Sequence, residues 1–137
     1  FDYILVDCPP TLGEITRETF CLTHAVIIPL QCEYMALRGV QLLLETISKA
    51  KASCNARLEL MGILPTMYDR RTLHSREVLM EIRAALEEQV HIFPHIIYKS
   101  IRFPESAVAL EPVFEYDPPN PGAQSYVELA NEVVNHG

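Results

Sequence analysis

Residues 2–13 read DYILVDCPPTLG, and the expected fold follows from this stretch. A short apolar run over 2–6 ends at Asp7 and is followed by Pro9 and Pro10. A run that is apolar throughout, rather than at alternate positions, predicts a strand buried on both faces of a sheet. The Asp7 carboxylate would then lie at the C-terminal end of that strand.

The remaining sequence alternates between strand and helix patterns. Apolar runs predict further strands at 25–30, 58–66, 91–98 and 112–115. Amphipathic or capped stretches predict helices at 11–20 and 34–52, after Thr72 or Ser75, and after Asn120. This alternation is typical of an α/β domain whose parallel sheet is covered by helices on both faces. Ligands bind beyond the C-terminal strand ends of such sheets, here Asp7, 31–33, 66–71 and 99–105.

The composition indicates one folded domain. The chain has 137 residues, of which 49% are hydrophobic and 21% are charged, and its net charge is −7. These values argue against an intrinsically disordered chain. No apolar run approaches the roughly 20 residues of a membrane helix, and no signal peptide is visible. We therefore expect no membrane partner.

Positive charge is concentrated in one part of the chain. More than half of the basic residues fall between 70 and 102, namely Arg70, Arg71, Arg76, Arg83, Lys99 and Arg102. No Lys or Arg follows, whereas six acidic residues do. The net acidity argues against a general nucleic-acid coat, but a local basic face can still bind phosphate. A solvated helix face is an equally good interpretation of these residues.

The cysteines and histidines give no metal-binding pattern. The four cysteines, at 8, 21, 32 and 54, form no C-x-x-C pair or zinc spacing. A chain of this length and apolar content needs no disulfide bonds, so we expect reduced cysteines and a cytoplasmic protein. His91 and His95 are four residues apart in a strand-like run, without a third metal ligand in view.

Several strings of this sequence resemble the ParA/Soj type of chromosome- and plasmid-partitioning ATPases. They are DCPPTLG at 7–13, PLQCEYMALRG at 29–39, TMYDRRT at 66–72, and EYDP at 115–118 followed by Gly122, Ala123 and Tyr126. They are spread along the whole chain and keep the order of the family. An apolar run that ends in an aspartate is also the Walker B pattern, in which the carboxylate holds magnesium, usually through water, beside nucleotide phosphates.

The resemblance implies a three-layer parallel-sheet P-loop NTPase fold of the deviant Walker A class. That class carries the motif K-G-G-x-G-K-T, which does not occur in these 137 residues. We therefore expect residues 1–137 to be the C-terminal portion of a single ATPase domain, preceded in the family by roughly 110–130 residues. Because the phosphate-binding lysine and backbone belong to the other half, this portion alone is expected not to hydrolyse ATP.

The resemblance also assigns residues to the nucleotide side. Asp7 matches the catalytic Walker B aspartate and would hold Mg²⁺ through water, as in the family; a turn cap is the alternative. Pro9, Thr11 and Gly13 match a switch-like segment that senses the γ-phosphate. Residues 31–34 match a segment near the nucleotide and the dimer face. The residues matched to the base and ribose side are Met67, Tyr68, Asp69, Tyr98 and Lys99.

A DNA-binding surface is implied by the same resemblance. Arg71 and Arg102 match the two arginines through which ATP-bound dimers of the family hold DNA without sequence preference. Arg70, Arg76 and Lys99 can extend this patch. Arginine suits phosphate because its planar guanidinium donates two parallel hydrogen bonds. Ordinary surface arginines are the alternative interpretation.

The sequence departs from the family pattern in two places. The string IPRNVRLSEAP of the family reads IYKSIRFPESA at 97–107, so that Tyr98 and Ser100 replace a proline and an asparagine. Leu110 stands in place of a usual glycine, and Glu111 in place of a lysine. Because the first stretch lines the adenine pocket in the family, its changes are expected to alter nucleotide binding or base preference. The second change replaces a basic residue with an acidic one and is expected to reduce affinity for DNA.

The full-length parent is expected to be an ATPase that segregates or positions DNA. The resemblance implies ATP and Mg²⁺ as cofactors, a nucleoid-associated homodimer, nonspecific DNA, and a ParB-type centromere-binding partner. ATP would act mainly as a switch between states of different DNA affinity. The alternative is a non-catalytic module of the same fold, which binds DNA or a protein without turnover.

Overall fold

The computed structural model describes residues 1–33 and 36–136. Its elements are α1 (Glu14–Leu22), β1 (Ala25–Gln31), α2 (Ala36–Ser53), β2 (Glu59–Thr66), α3 (Leu73–Leu86), α4 (Arg102–Ala109), α5 (Val113–Tyr116) and α6 (Pro121–His136). The expected α/β class with a parallel sheet is confirmed. Two compact units are present: unit 1 comprises 1–27 and 37–61, and unit 2 comprises 28–36 and 62–137. None of the described helices is long and apolar enough to cross a bilayer.

The sheet is built on β2. β1 is its hydrogen-bonded neighbour, and the Cys32 amide continues the pairing by donating to the Thr66 carbonyl at 3.0 Å. Residues 91–98 also run parallel to β2 and to the residues that follow it. One bridge joins Ile63 to Ile92, and a second joins Tyr68, just beyond the end of β2, to Tyr98. The pairing is interrupted around Pro94: the Phe93 amide donates to the Ile63 carbonyl, and the next amide that donates to β2 is that of Ile97, to the Pro65 carbonyl. The predicted strand therefore forms as two separate contacts rather than as a continuous ladder.

The first predicted strand does not form. Residues 1–9 have no regular secondary structure, and Ile4 and Leu5 are 80% and 90% exposed. A strand is stabilised by a neighbouring strand, and in the described part of the chain none pairs with this segment. The prediction of a buried strand at 2–6 is therefore wrong for this structure, because an apolar pattern indicates a tendency to be buried but does not supply the partner.

Two tertiary links tie the end of α1 to the end of α2 within unit 1. The Asn55 side-chain amide donates to the carbonyls of Phe20 and Thr23, at 2.9 and 2.7 Å. Cys21 and Cys54 form a disulfide bond, with their Cα atoms 5.4 Å apart. The expectation of reduced cysteines is therefore wrong for this pair, because spacing in the sequence does not show that two helix ends meet.

The core of unit 2 contains fully buried side chains from β2, α3 and the 91–98 segment, including Ile63, Ile82 and Phe93. Val78, Ile82 and Leu86 of α3 are buried at helical spacing, as its pattern predicts. Of the two predicted caps of this helix, Thr72 is the one that forms, since its hydroxyl accepts from the Ser75 amide at 3.3 Å. The cap therefore fixes the end of the loop 66–72, which contains Arg70 and Arg71 and precedes α3.

Two short helices differ from the sequence prediction. Residues 112–115, predicted as a strand, lie in and beside α5, where the Pro112 carbonyl accepts from the amides of Glu115 and Tyr116 at 2.9 Å. This local turn overrides the strand preference of the apolar residues. α4 is a helix for which the sequence patterns gave no prediction, and Pro104 lies in its first turn. Proline is tolerated in the first turn of a helix, where its missing N–H would have no partner within the helix.

Asn120 caps α6, as predicted, and joins it to neighbouring loops. Its Oδ1 accepts from the Gly122 amide at 2.9 Å, and its Nδ2 donates to Ser100 Oγ at 3.1 Å and Asp117 Oδ2 at 3.2 Å. We expect Asn120→Ala to lower the free energy of unfolding by about 1–2 kcal/mol. Urea unfolding beside Asn131→Ala, on the exposed side of the same helix, tests this. Equal losses in both variants would contradict the capping role.

Candidate functional site

The segment that contains Asp7 leads into α1. Asp7 and Pro9 are exposed, and the Thr11 amide donates to the Pro9 carbonyl at 2.7 Å. The Thr11 carbonyl in turn accepts from the hydroxyl of the buried Thr16 at 2.7 Å. Gly13 is the N-cap residue of α1 and has an extended backbone. The turn at 9–13 is therefore fixed within unit 1, and the carboxylate before it is open to solvent.

Asp7 is the residue expected to hold magnesium. Among residues 1–33 and 36–136, no three His, Cys, Asp or Glu side chains are grouped so that they could hold a metal ion. A single exposed carboxylate nevertheless fits magnesium, which is usually bound by one or two carboxylates together with substrate phosphates. Asp7 can therefore serve as one ligand of an ion that nucleotide phosphates also hold, but it does not form a metal site by itself.

His91 and His95, considered above as metal ligands, instead contact α6. His95 Nδ1 lies 3.2 Å from Glu128 Oε2, and His95 Nε2 lies 2.8 Å from Glu132 Oε2. His91 Nε2 lies 3.3 Å from the other oxygen of Glu132. These contacts hold the 91–98 segment against the last helix of unit 2.

The end of β1 provides one side of the expected ligand-binding edge. Gln31 and Glu33 are exposed there, whereas Cys32 is buried. Burial raises the pKa of the Cys32 thiol to about 11, so the thiol stays neutral near neutral pH and is a packing residue rather than a nucleophile. Tyr34, which was matched to the same segment, lies outside the described residues.

The end of β2 turns sharply and then rejoins the neighbouring segment. Met67 has a φ of 55°, which is rare for a residue other than glycine. The next amide, that of Tyr68, donates to the Ile97 carbonyl at 3.2 Å, and the Tyr68 carbonyl accepts from the Lys99 amide at 2.9 Å. The loops 66–72 and 97–102 therefore lie side by side. They carry all five residues matched to the base and ribose side, which are Met67, Tyr68, Asp69, Tyr98 and Lys99.

Asp69 binds Arg71 through three hydrogen bonds. Arg71 Nε and the Arg71 amide donate to Asp69 Oδ1 at 3.1 and 3.0 Å, and Arg71 Nη2 donates to Oδ2 at 3.0 Å. The side-chain and backbone hydrogen bonds from Arg71 lower the pKa of Asp69 from 3.8 to about 2. Because the folded-state pKa is the lower one, the pair stabilises the loop fully above about pH 4, and this contribution is lost as the pH falls towards 2.

Arg70, Arg71 and Arg76 converge on one cleft. Its volume is about 310 Å³, and it is lined by Tyr68, Arg70, Arg71, Thr72, Leu73 and Arg76. The Arg70 guanidinium carbon lies 3.9 Å from the centroid of the Tyr98 ring, a cation–π contact. Tyr98 also meets Tyr68 edge to face, with ring centroids 5.8 Å apart. The tyrosine that departs from the family pattern thus supports one arginine of the cleft.

Arg102 lies on the adjoining loop and is bound to two carboxylates. Its Nη1 donates to Glu105 Oε2 at 2.8 Å, and its Nε lies 3.4 Å from Asp117 Oδ2. The hydrogen bond and charge of Glu105, followed by the charge of Asp117, raise the pKa of the Arg102 guanidinium. The Arg102 amide donates to Ser100 Oγ at 3.2 Å, which fixes the start of α4.

The acidic partners of the arginines are the feature that sequence reasoning missed. Asp69 lies two residues before Arg71, and Glu105 lies three residues after Arg102, so both spacings allow a local ion pair. The arginine and glutamate on α4 follow the familiar i,i+3 rule of helices. Asp117 comes from another loop, and no sequence signal could have paired it with Arg102.

Comparisons with known proteins agree with this fold. A family model described as an AAA domain matches residues 1–60. The chromosome partitioning protein ParA of Caulobacter vibrioides is 38% identical over 135 residues, which are 98% of this chain and 50% of that protein. The chromosome-partitioning ATPase Soj of Treponema pallidum is 40% identical over 134 residues, 98% of this chain and 52% of its own. The crystal structure of cobyrinic acid a,c-diamide synthase from Mycobacterium smegmatis with bound ADP and magnesium has a TM-score of 0.75 and 35% identity, over 95% of this chain and 45% of that one.

The fold and this structural likeness define an α/β protein of the P-loop NTPase fold. Within that class, the chain is homologous to the ParA/Soj chromosome-partitioning ATPases, as its motifs predicted. It spans about half the length of the curated relatives that it matches. The activity and partners of the full-length protein are therefore proposed below rather than taken from these relatives.

Proposed function

We propose that the full-length protein is an ATPase that segregates or positions DNA, and that unit 2 carries its nonspecific DNA-binding surface. The observation that carries this proposal is the convergence of Arg70, Arg71 and Arg76 on one cleft, with Lys99 and Arg102 on the adjoining loop. The chain as a whole has a net charge of −7. Cations gathered at one place on an acidic protein create a local field that attracts phosphate.

The chemistry of this surface favours the DNA backbone over the bases. Guanidinium groups bind phosphate oxygens through parallel hydrogen bonds, whereas sequence is recognised by groups that enter a groove. Arg71 is highly exposed, and the Arg70 guanidinium carbon lies over the Tyr98 ring. Contacts of this kind position a protein on a duplex without selecting a sequence.

The nucleotide roles are part of the same proposal. In unit 1, Asp7 would supply one carboxylate beside Mg²⁺, and the turn formed by Pro9, Thr11 and Gly13 would respond to the γ-phosphate. In unit 2, the 66–69 and 98–99 loops would border base and ribose. Support comes from relatives that are named as ATPases and from a similar structure with bound ADP and magnesium. Bound magnesium would neutralise phosphate charge.

The partners follow from the partitioning relatives. We infer an ATP-dependent homodimer on nucleoid DNA in the cytoplasm, released by a ParB-type centromere-binding protein. ATP then acts by shifting the population towards the dimer, which has the higher DNA affinity because two copies of the surface bind together.

A non-catalytic DNA-binding module is the second candidate. It accounts for the basic cleft of unit 2 equally well, because phosphate binding by arginine side chains requires no nucleotide. The two candidates differ in the effect of nucleotide, because only an ATPase switch would couple ATP to DNA affinity.

The test measures binding of the full-length protein to two unrelated DNA duplexes by fluorescence anisotropy, with and without ATP. The proposal expects equal affinity for both duplexes, tighter binding with ATP, and a loss of roughly 10²-fold between about 50 and 200 mM salt if about four phosphates are contacted. DNA binding that ATP leaves unchanged would support the module instead. No binding under any of these conditions would refute both.

A further inference from the structure

The Arg71 guanidinium, which the proposed function assigns to DNA phosphate, is already bound by a carboxylate of its own loop. Asp69 presents both oxygens to the Nε–Nη2 edge of Arg71, at 3.1 and 3.0 Å. This two-point arrangement is also the one in which arginine binds two oxygens of a phosphate. The Arg71 side chain is 87% exposed, so a phosphate can approach it from solvent.

Asp69 and a DNA phosphate therefore cannot use this edge of Arg71 at the same time. A phosphate must either displace the Asp69 carboxylate or bind the remaining guanidinium N–H groups. In the second case the negative charge of Asp69 lies close by and repels the phosphate. Lys99 also acts on Asp69 electrostatically, so the carboxylate partly neutralises a second cation of the surface.

We propose that Asp69 is an intramolecular competitor for the phosphate that Arg71 binds, and that it weakens the affinity of this surface for DNA and lowers its salt dependence. This inference rests on the proposed function, because it concerns the regulation of the same surface. It assigns Asp69 a role distinct from the base-and-ribose role that the family resemblance implied.

The Asp69→Asn variant separates this role from a structural one. The Arg71 amide donates to Asp69 Oδ1, and an asparagine side-chain oxygen can accept the same bond. The Asp69 carbonyl, which accepts from the amide and the hydroxyl of Thr72, is unchanged by the substitution. The turn is therefore expected to persist while the charge is lost, and thermal unfolding of the variant confirms that it folds.

The experiment measures DNA affinity of the full-length protein as a function of salt. Asp69→Asn is expected to bind a generic duplex about threefold to tenfold more tightly at low salt, and to steepen the log–log salt slope by up to about 0.9. The matched control is Glu88→Gln, which removes one negative charge from an exposed position just after α3. An equal gain in the control would show a net-charge effect and overturn the inference.

A double variant gives a second, independent readout. In an Arg71→Ala background, Asp69→Asn is expected to give a much smaller gain, because the competitor has lost its target and only its weaker effect on Lys99 remains. A full gain in that background overturns the inference, as does an unchanged affinity of Asp69→Asn when Arg71→Ala alone weakens binding. If the wild-type protein and every variant fail to bind DNA, the proposed function itself fails.

Discussion

Gly62→Ala is expected to lower the free energy of unfolding by at least about 3 kcal/mol, or to prevent unit 2 from folding. Gly62 has a φ of +155°, which L-amino acids with a side chain rarely adopt. A Cβ atom at this position would lie 2.7 Å from the His91 carbonyl oxygen and 3.0 Å from the Phe93 ring. Neither neighbour can move easily, because the His91 carbonyl accepts from the Ile63 amide and Phe93 is fully buried.

The control for this prediction is Gly39→Ala. A Cβ atom added at Gly39, which lies in α2, meets nothing within 4 Å. Alanine there should raise stability by about 0.5–1 kcal/mol, because glycine has the greater backbone entropy in the unfolded chain. Denaturant unfolding of the two variants should therefore show opposite changes in the free energy of unfolding. Similar, small effects would mean that β2 and the 91–98 segment are not packed as described.

The elements that local rules could predict are those whose sequence pattern and surroundings agree. β1, β2 and α2 occur within one to two residues of their predicted bounds, where the prediction fell on described residues, and α3 and α6 begin directly after the predicted caps Thr72 and Asn120. The caps at Thr72 and Asn120 follow from side chains that satisfy amides at a helix start. The loop 66–72, which contains Arg70 and Arg71, comes directly after a predicted strand. Its position at the edge of the sheet was therefore also predictable.

The features that local rules missed depend on contacts between distant residues. The apolar run 2–6 finds no partner strand among the described residues, so its pattern was insufficient. The Cys21–Cys54 bond and the ion pair of Arg102 with Asp117 join segments that only the fold brings together. The cation–π contact of Arg70 with Tyr98 likewise depends on the parallel bridge between Tyr68 and Tyr98. The spacing of residues in a sequence contains no information on such pairs.

The second large effect is expected in DNA binding by the double variant Arg71→Ala/Arg102→Ala. The two arginines lie on the neighbouring loops 66–72 and 97–102, which backbone hydrogen bonds hold together. If each binds one phosphate, their joint loss should weaken binding about 10²-fold near 100 mM salt, and the log–log salt slope should fall by about 1.8. Fluorescence anisotropy of the full-length protein over a range of salt measures both quantities.

The matched control for this prediction is Lys51→Ala/Arg57→Ala, which removes two exposed positive charges from unit 1. Both double variants change the net charge equally, so a purely global field would weaken binding to the same extent in each. A local phosphate-binding surface instead requires a larger loss in the arginine variant than in the control, because only the arginine variant removes side chains that would contact phosphate directly. Because Arg102 also contacts Glu105 and Asp117, circular dichroism must show that α4 remains folded. Equal losses in the two double variants would refute the assignment of this surface, whereas a loss confined to the arginine variant would place the phosphate contacts on the loops that follow β2 and the 91–98 segment.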